Sequence, residues 1–420
     1  MIKRVLIFTF ILFSFCMLAV GENSAERTKR DFERLGLTLY EGNKVRILPT
    51  AEIKFRDLFE EVEKAEKYIY MDYFKFQQDS ICGLLIEKLC RKAQQGVEVK
   101  VIFDSFGNHD SDFPLSDTLQ ARIRQSGVEI EAFDPVRFPW INHLVHRNHH
   151  KIAIIDGRTV YTGGMNVADY YLHGKPKVGK WRDMHIRMDG PIVEAYEEVF
   201  NKMWTAPSPL PLWGSASKAV QEACNTNEEG VLPQRGSGEG AVASRFPRES
   251  PRIMRQTYCI CIDNADRLVQ IVNPYAMLFG EVRAALRRAL ARGVKVQFMV
   301  STKSDGKVND DVIGLEMRKL MKRGAEVYYY DDGFHHSKVM MIDSLFCTVG
   351  TTNLDARSLC FDYEVNAFIF DPATTHELQQ IFHDDMTHHS TLLTPEVFKE
   401  RFPLKRRIRS RIFSISKRFL

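Results

Sequence analysis

Along this chain the apolar positions switch between helical and strand spacing, and they do so twice in the same order. From Ala51 to Ala65, Phe55, Leu58, Phe59 and Val62 fall on one helical side, and Tyr68 to Phe74 is then rich in strand-forming residues. A helix is predicted over Ser80 to Gln95 with Gly96 ending it, a strand over Val97 to Phe103, a helix over Leu115 to Gln125 stopped before Gly127, and a strand over Val128 to Phe133. Asp134 to Arg147 reads as a loop. The second passage gives a helix over Ile253 to Ala265, a strand over Arg267 to Val272, a helix over Phe279 to Arg292 and a strand over Val294 to Val300. A helix over Val312 to Lys322 and a strand over Glu326 to Tyr330 complete it. Even the letters repeat, Gly96-Val97-Glu98-Val99 against Gly293-Val294-Lys295-Val296. Such alternation makes α/β layers, with helices on both faces of a mixed sheet. The expectation is two pseudo-symmetric α/β/α layered repeats with mixed sheets, a bilobed molecule spanning residues 44–204 and 251–390.

What lies outside the repeats has a different character. A chain of 420 residues exceeds one ordinary core and suits two domains. Residues 1–21 open with Lys3 and Arg4 and continue as an uncharged apolar run, which reads as a signal peptide or a membrane anchor. Either form exports the two repeats, so the protein is expected to be membrane-associated with those repeats extracytoplasmic. Glu22 to Asn43 reads as a charged connector. Residues 205–250 are rich in Pro, Gly, Ser and charge and read as a connector followed by a flexible insert. Residues 391–420 form a basic tail in which Ile408, Ile412, Ile415 and Phe419 recur at helical spacing among Lys405, Arg406, Arg407, Arg409 and Arg411. An amphipathic cationic helix of this kind suits an anionic membrane surface; nucleic acid is a further candidate but not the expected partner. The formal net charge is only +4, so the tail concentrates what excess there is. The eight cysteines show neither a disulfide framework nor zinc spacing and read mostly as buried small hydrophobes.

The candidate chemistry sits in a segment that also occurs twice. His149-His150-Lys151, four apolar residues, Asp156, and Gly163-Gly164-Met165-Asn166 match His336-Ser337-Lys338, four apolar residues, Asp343, and Gly350-Thr351-Thr352-Asn353. Both spell His-x-Lys-x4-Asp-x6-Gly-x-x-Asn; one copy would be a weak motif, two at identical offsets are strong. Strand alternation puts His149 and Lys151 on one side at the entrance of a strand buried on both faces. An imidazole beside an ammonium, with an amide returning on the next strand, makes an anion site where the His can attack phosphorus or move a proton. Asp156 and Asp343 fall near the far strand ends, which favours a structural role, although the motif carries them. The additional His143, His146, His150 and His335 match no usual metal-ligand spacing.

These segments resemble the phospholipase D superfamily, whose defining motif is this duplicated His-Lys-Asp run with its trailing Gly and Asn. The resemblance implies that the two motifs meet at the lobe interface in one active site, that one His forms a phosphohistidine, and that the other protonates the leaving alcohol. It implies His149 as nucleophile, His336 as acid and base, and Lys151, Lys338, Asn166 and Asn353 as phosphate holders. Asp183 and Glu364, each following the Asn of its own repeat, are the expected orienters of the imidazoles. No cofactor or metal is implied. Gly163-Gly164-Met165-Asn166, Trp181-Arg182-Asp183, Gly190-Pro191 and Gly350 to Leu359 look most like bacterial cardiolipin synthases. The implied reaction joins two phosphatidylglycerols and releases glycerol. Hydrolysis to phosphatidic acid and a nucleic-acid phosphodiesterase are the alternatives from the same superfamily, and a binding protein with an inactive site is the non-enzyme alternative.

Overall fold

The computed structural model describes residues 22–135, 145–205, 238–278, 280–304 and 307–416. The leader at 1–21 and the connector residues 206–237 lie outside the described residues. In chain order the strands of the first half are β1 Leu39–Leu48, β2 Tyr68–Tyr73, β3 Glu98–Asp104, β4 Glu129–Phe133, β5 Lys151–Ile155, β6 Thr159–Gly163, β7 Lys180–Arg182 and β8 His185–Asp189. Those of the second are β9 Gly238–Arg245, β10 Leu268–Val272, β11 Lys295–Ser301, β12 Glu326–Tyr330, β13 Gly333–His335, β14 Val339–Ile342, β15 Phe346–Gly350, β16 Glu364–Phe370 and β17 Ser390–Leu392. Fifteen of them form one mixed sheet, ordered β17-β12-β11-β10-β14-β15-β16-β9-β1-β8-β6-β5-β2-β3-β4, while β7 and β13 pair separately. The order from β9 outward repeats the order from β1 outward, so the expected repeats are present, and their sheets merge into one across the antiparallel β1–β9 seam.

Local chemistry sets the elements. Thr50, Asp79 and Ser116 cap the helices Ala51–Lys64, Ser80–Gln94 and Asp117–Gln125 by accepting from backbone N–H groups that a helix start leaves unpaired. All residues of β5, β6, β14 and β15 are buried, as strands covered on both faces must be. One face of the second half is covered by the helices Ile253–Asn264, Gly280–Ala291 and Lys307–Met321. The first half has its counterpart in Ala51–Lys64, Ser80–Gln94 and Asp117–Gln125. The opposite face of both halves shares one core, where Tyr196, Val199 and Phe200 of the helix Val193–Thr205 and Leu378 and Phe382 of the helix Pro372–His388 pack.

Three segments differ from expectation. The end of the stretch assigned to the 205–250 connector is β9, the seam strand itself. Its glycines serve close approach rather than flexibility: a Cβ on Gly238 would stand 2.9 Å from the Asn43 carbonyl oxygen, and one on Gly240 3.1 Å from that of Phe368. The charged connector contains the helix Ser24–Arg34, whose buried Ala25, Thr28 and Phe32 make a narrow stripe that its many charges hide. That helix packs on the second half, with the Phe32 ring 4.9 Å from Phe368. The basic tail is docked: β17 pairs with β12, and the helices Pro395–Arg401 and Leu404–Ser416 follow. Among the described residues no helix is long and apolar enough to cross a membrane, and the six described cysteines are free thiols.

Candidate active site

Both motif histidines stand just before a central strand, at the edge of the sheet where the parallel strands end. Lys151 begins β5 and Lys338 immediately precedes β14, so each Lys shares the side of its His. His149 donates its backbone N–H to the Tyr363 carbonyl at 3.0 Å, and its Nδ1 lies 2.9 Å from Glu364 Oε1. His336 does the same in the other direction: its N–H reaches the Arg182 carbonyl at 2.6 Å and its Nδ1 lies 2.7 Å from Asp183 Oδ2. Each half therefore supplies the carboxylate for the other half's imidazole. With Nδ1 committed to a carboxylate, Nε2 is the nitrogen left for chemistry in both rings.

The electrostatics place the four motif cations and imidazoles in one neighbourhood. Burial pushes the His149 imidazole well below its ordinary pKa, and the ammonium groups of Lys151 and, from the other half, Lys338 push it further. Burial likewise lowers His336 to about 4, helped by Lys338 and opposed by Asp183. Lys151 is lowered by burial to about 7 although Glu364 opposes the shift. Asp183 is buried, which alone would raise it, yet the facing His336 and Lys338 hold its carboxyl below the usual range. Glu364 is raised by burial despite Lys151. Lys338 Nζ lies 2.9 Å from His336 Nε2 and also donates to the His336 carbonyl, while Lys151 Nζ donates to the His149 carbonyl at 2.7 Å. The His149 side chain keeps 13% of its exposure and Glu364 none, so the imidazole lies nearer solvent and the carboxylate behind it.

The remaining motif residues divide. Asn166 is buried, accepts from the Lys75 N–H at 3.2 Å and donates to the Tyr171 hydroxyl. Asn353 is buried with its amide oxygen unpartnered among the described residues. Asp156 and Asp343, grouped with the catalytic residues by the motif, are not in the site. Each lies at the far end of its strand, five residues or roughly 15 Å from the motif Lys. There the Asp156 carboxylate accepts the N–H groups of Glu66, Lys67 and Tyr68, and Asp343 those of Asp266, Arg267 and Leu268. Each Asp has positive φ, 53° and 54°, and clamps the turn that feeds the neighbouring parallel strand. The extra histidines are also bonded structurally: His150 to Asp72 at 3.0 Å, His146 to the Phe361 carbonyl at 2.7 Å and His335 to Asp385 at 3.2 Å. His143 lies outside the described residues.

Three residues next to the Glu364 and Asp183 carboxylates were given no role from the sequence, although Gly164 and Thr351 fall within the motif segments. Thr351 donates its hydroxyl to Glu364 Oε2, whereas the matching position, Gly164, leaves room for Asp183: a Cβ there would stand 2.2 Å from Asp183 Oδ1. Lys54 is fully buried against the rings of Phe55 and Tyr73, and burial lowers it to about 7 while Asp183 opposes the shift. A Lys within the apolar stripe of the helix Ala51–Lys64 was the available signal for it.

Fold and paired motifs together are those of the phospholipase D-like class of enzymes. The family model for the cardiolipin synthase, PLD-like domain matches residues 58–204 and 258–386. The chain is 34% identical to the probable cardiolipin synthase YwiE of Bacillus subtilis over 358 residues, covering 85% of this chain and 68% of that protein. It is 32% identical to cardiolipin synthase 2 of Staphylococcus epidermidis, covering 86% and 72%. Among solved structures, phosphatidylserine synthase of Haemophilus influenzae superposes with a TM-score of 0.69 at 15% identity, covering 94% of this chain and 100% of that one, and so shares the fold. The chain belongs to the cardiolipin synthase family, enzymes of the phospholipase D type.

Proposed function

We propose that the protein joins two phosphatidylglycerols into cardiolipin, releasing glycerol, at the surface of an anionic membrane. His149 Nε2 attacks phosphorus and the bond to the glycerol oxygen breaks; that oxygen takes the proton from His336 Nε2. The terminal hydroxyl of a second phosphatidylglycerol then gives its proton to His336 and attacks the phosphohistidine, which frees His149. Lys151, Lys338, Asn166 and Asn353 would carry the non-bridging oxygens as negative charge grows on them. The observation that carries the proposal is the pair of His–carboxylate contacts crossing between halves, His149 with Glu364 and His336 with Asp183. The division of roles is supported by their electrostatics. Burial and the neighbouring ammonium groups push His149 toward the neutral imidazole a nucleophile needs, and Asp183, held ionised, faces the ring assigned to carry the proton. The leader at 1–21 would keep these domains on the extracytoplasmic side.

The test is the full chain with phosphatidylglycerol in mixed micelles, products identified by mass. Cardiolipin with glycerol is expected, together with an acid-labile phosphoryl group on the peptide carrying His149. Phosphatidic acid alone would assign hydrolysis instead, and cut nucleic acid without lipid turnover would overturn the lipid substrate.

A further inference from the structure

The helix Leu404–Ser416 is mounted the opposite way round from an ordinary surface helix. Its inner side sets Phe413, packed against the core, among polar groups: Arg406 donates to Asp311 Oδ1 at 2.7 Å, Arg409 donates to Asp311 Oδ2, and Ser410 is buried. Asp311 is itself fully buried and takes both guanidinium groups. Just before the helix, Phe402 packs so closely over Gly314 that a Cβ there would meet its ring at 2.1 Å. The outer side is apolar. Leu404, Ile408 and Ile412, one helical step of four apart, are 63%, 51% and 61% exposed. At ~100° per residue Lys405 borders this stripe on one side and Arg407 and Arg411 on the other. An amphipathic helix normally buries the stripe this one turns outward.

The helix is also anchored at the edge of the sheet that carries the site. Arg401, at the end of the preceding helix, donates to Thr302 Oγ1 at 2.6 Å and to Asp331 Oδ1 at 2.8 Å. Those two residues directly follow β11 and β12 at the sheet edge where the Ser301 hydroxyl takes the N–H of His335, the neighbour of His336. Asp311 lies in the first turns of the helix that leaves this same edge.

We infer that Leu404, Ile408 and Ile412 insert into the interface of an anionic bilayer, with Lys405, Arg407 and Arg411 on its headgroups, and so hold this edge of the sheet against the lipid that supplies substrate. This inference rests on the lipid reading of the site and adds the surface that meets the membrane. Charge selects the bilayer over a second copy of the chain. From Arg401 to Leu420 the sequence has eight basic residues and no acidic one, and a twofold contact would set like charges against each other. Anionic lipid satisfies apolar stripe and cationic borders together.

The full chain carrying Ile408→Trp reports on this site alone, since a leader inserted elsewhere leaves residue 408 in water. Its difference spectrum against the unsubstituted chain is read with vesicles of phosphatidylcholine and with vesicles containing phosphatidylglycerol. A blue shift on adding the phosphatidylglycerol vesicles is expected; no shift overturns the inference. A shift without vesicles that grows with protein concentration also overturns it, in favour of a second copy. In the triple variant Leu404→Ser, Ile408→Ser, Ile412→Ser, the ratio of vesicle to micelle turnover should fall at least about tenfold, and an unchanged ratio overturns the inference. If the unsubstituted chain turns over no phosphatidylglycerol even in micelles, the transfer chemistry fails, while the indole signal of the Ile408→Trp variant still decides docking.

Discussion

Replacing Asp183 with Asn keeps the shape of the site and removes one charge. The Asp183 carboxylate lies 2.7 Å from His336 Nδ1, and both groups are buried. With charge centres ~4 Å apart and an effective dielectric constant of about 20, the interaction with the imidazolium is worth about 4 kcal/mol. An Asn retains part of this by accepting a hydrogen bond, so a loss of about 100- to 1000-fold in kcat is expected, at roughly 1.4 kcal/mol per tenfold. KM should move little, because Asp183 faces the imidazole rather than the lipid. The sign of the pH effect follows: Asp183 opposes the lowering of His336, so its removal drives the imidazole further down. The limb of the pH–rate profile that reports the protonated ring should therefore shift to lower pH. Gly164→Ala offers a second route, because its Cβ would have to occupy space 2.2 Å from Asp183 Oδ1 and displace the carboxylate without neutralising it. Steady-state kinetics on micellar phosphatidylglycerol from pH 3 to 8, a range that contains the His336 limb, with circular dichroism for folding, check both variants. A kcat within about tenfold of native for Asp183→Asn, or a loss with no shift of the limb, would refute the assignment of Asp183 as the group that sustains the acid.

Lys151, lowered by burial to about 7, is charged below that pH and neutral above it, so KM for an anionic phospholipid should rise as pH climbs through 7, and Lys151→Met should flatten that rise; a native KM constant from pH 6 to 8.5 counts against it. Lys54 is also lowered to about 7 from 10.5, so above pH 7 the unfolded chain holds a proton that the folded one has released, and native stability rises with pH up to the unfolded value. Lys54→Met should accordingly stabilise the fold by a few kcal/mol near pH 7, with the gain shrinking toward pH 10, as read by urea unfolding. Asp156→Ala strands the N–H groups of Glu66, Lys67 and Tyr68 and should cost about 2–3 kcal/mol of stability, while kcat per folded molecule stays within a few-fold of native.

What could be read from the sequence was local, and what escaped it was tertiary. The two His-x-Lys segments were legible because their groups are set by strand alternation within a few residues. Both orienting carboxylates were named too, but not which imidazole each serves: Glu364 is 215 positions from His149, and only the meeting of the halves pairs them. The alternating elements were legible for the same local reason, from helix caps and glycine stops. Gly238 and Gly240 looked like linker glycines because composition cannot tell a glycine needed for backbone freedom from one needed for close approach. Phe32 was overlooked since a three-residue stripe is outvoted by the charges around it, and its partner Phe368 lies in the other half. In the tail the apolar periodicity was plain, yet the side it presents to solvent depends on Asp311, a buried acid more than ninety residues earlier.

The exchange of carboxylates also explains why a duplicated chain can behave as one enzyme rather than two. Neither half holds a complete imidazole–carboxylate pair, because His149 is completed by β16 and His336 by the residue after β7. The backbone repeats the exchange: His149 and Tyr363, and His336 and Arg182, are joined by main-chain hydrogen bonds across the same interface. Register at the seam and the mutual placement of the two imidazoles are thus one constraint, enforced by the β1–β9 pairing and by the parallel contact of β7 with β13. Within that shared frame the two pairs need not be equal. Thr351 grips Glu364 where Gly164 merely makes room for Asp183, and Asp183 is ionised more firmly than Glu364. Under the two-step displacement proposed above, that inequality lets one imidazole attack while the other carries the proton.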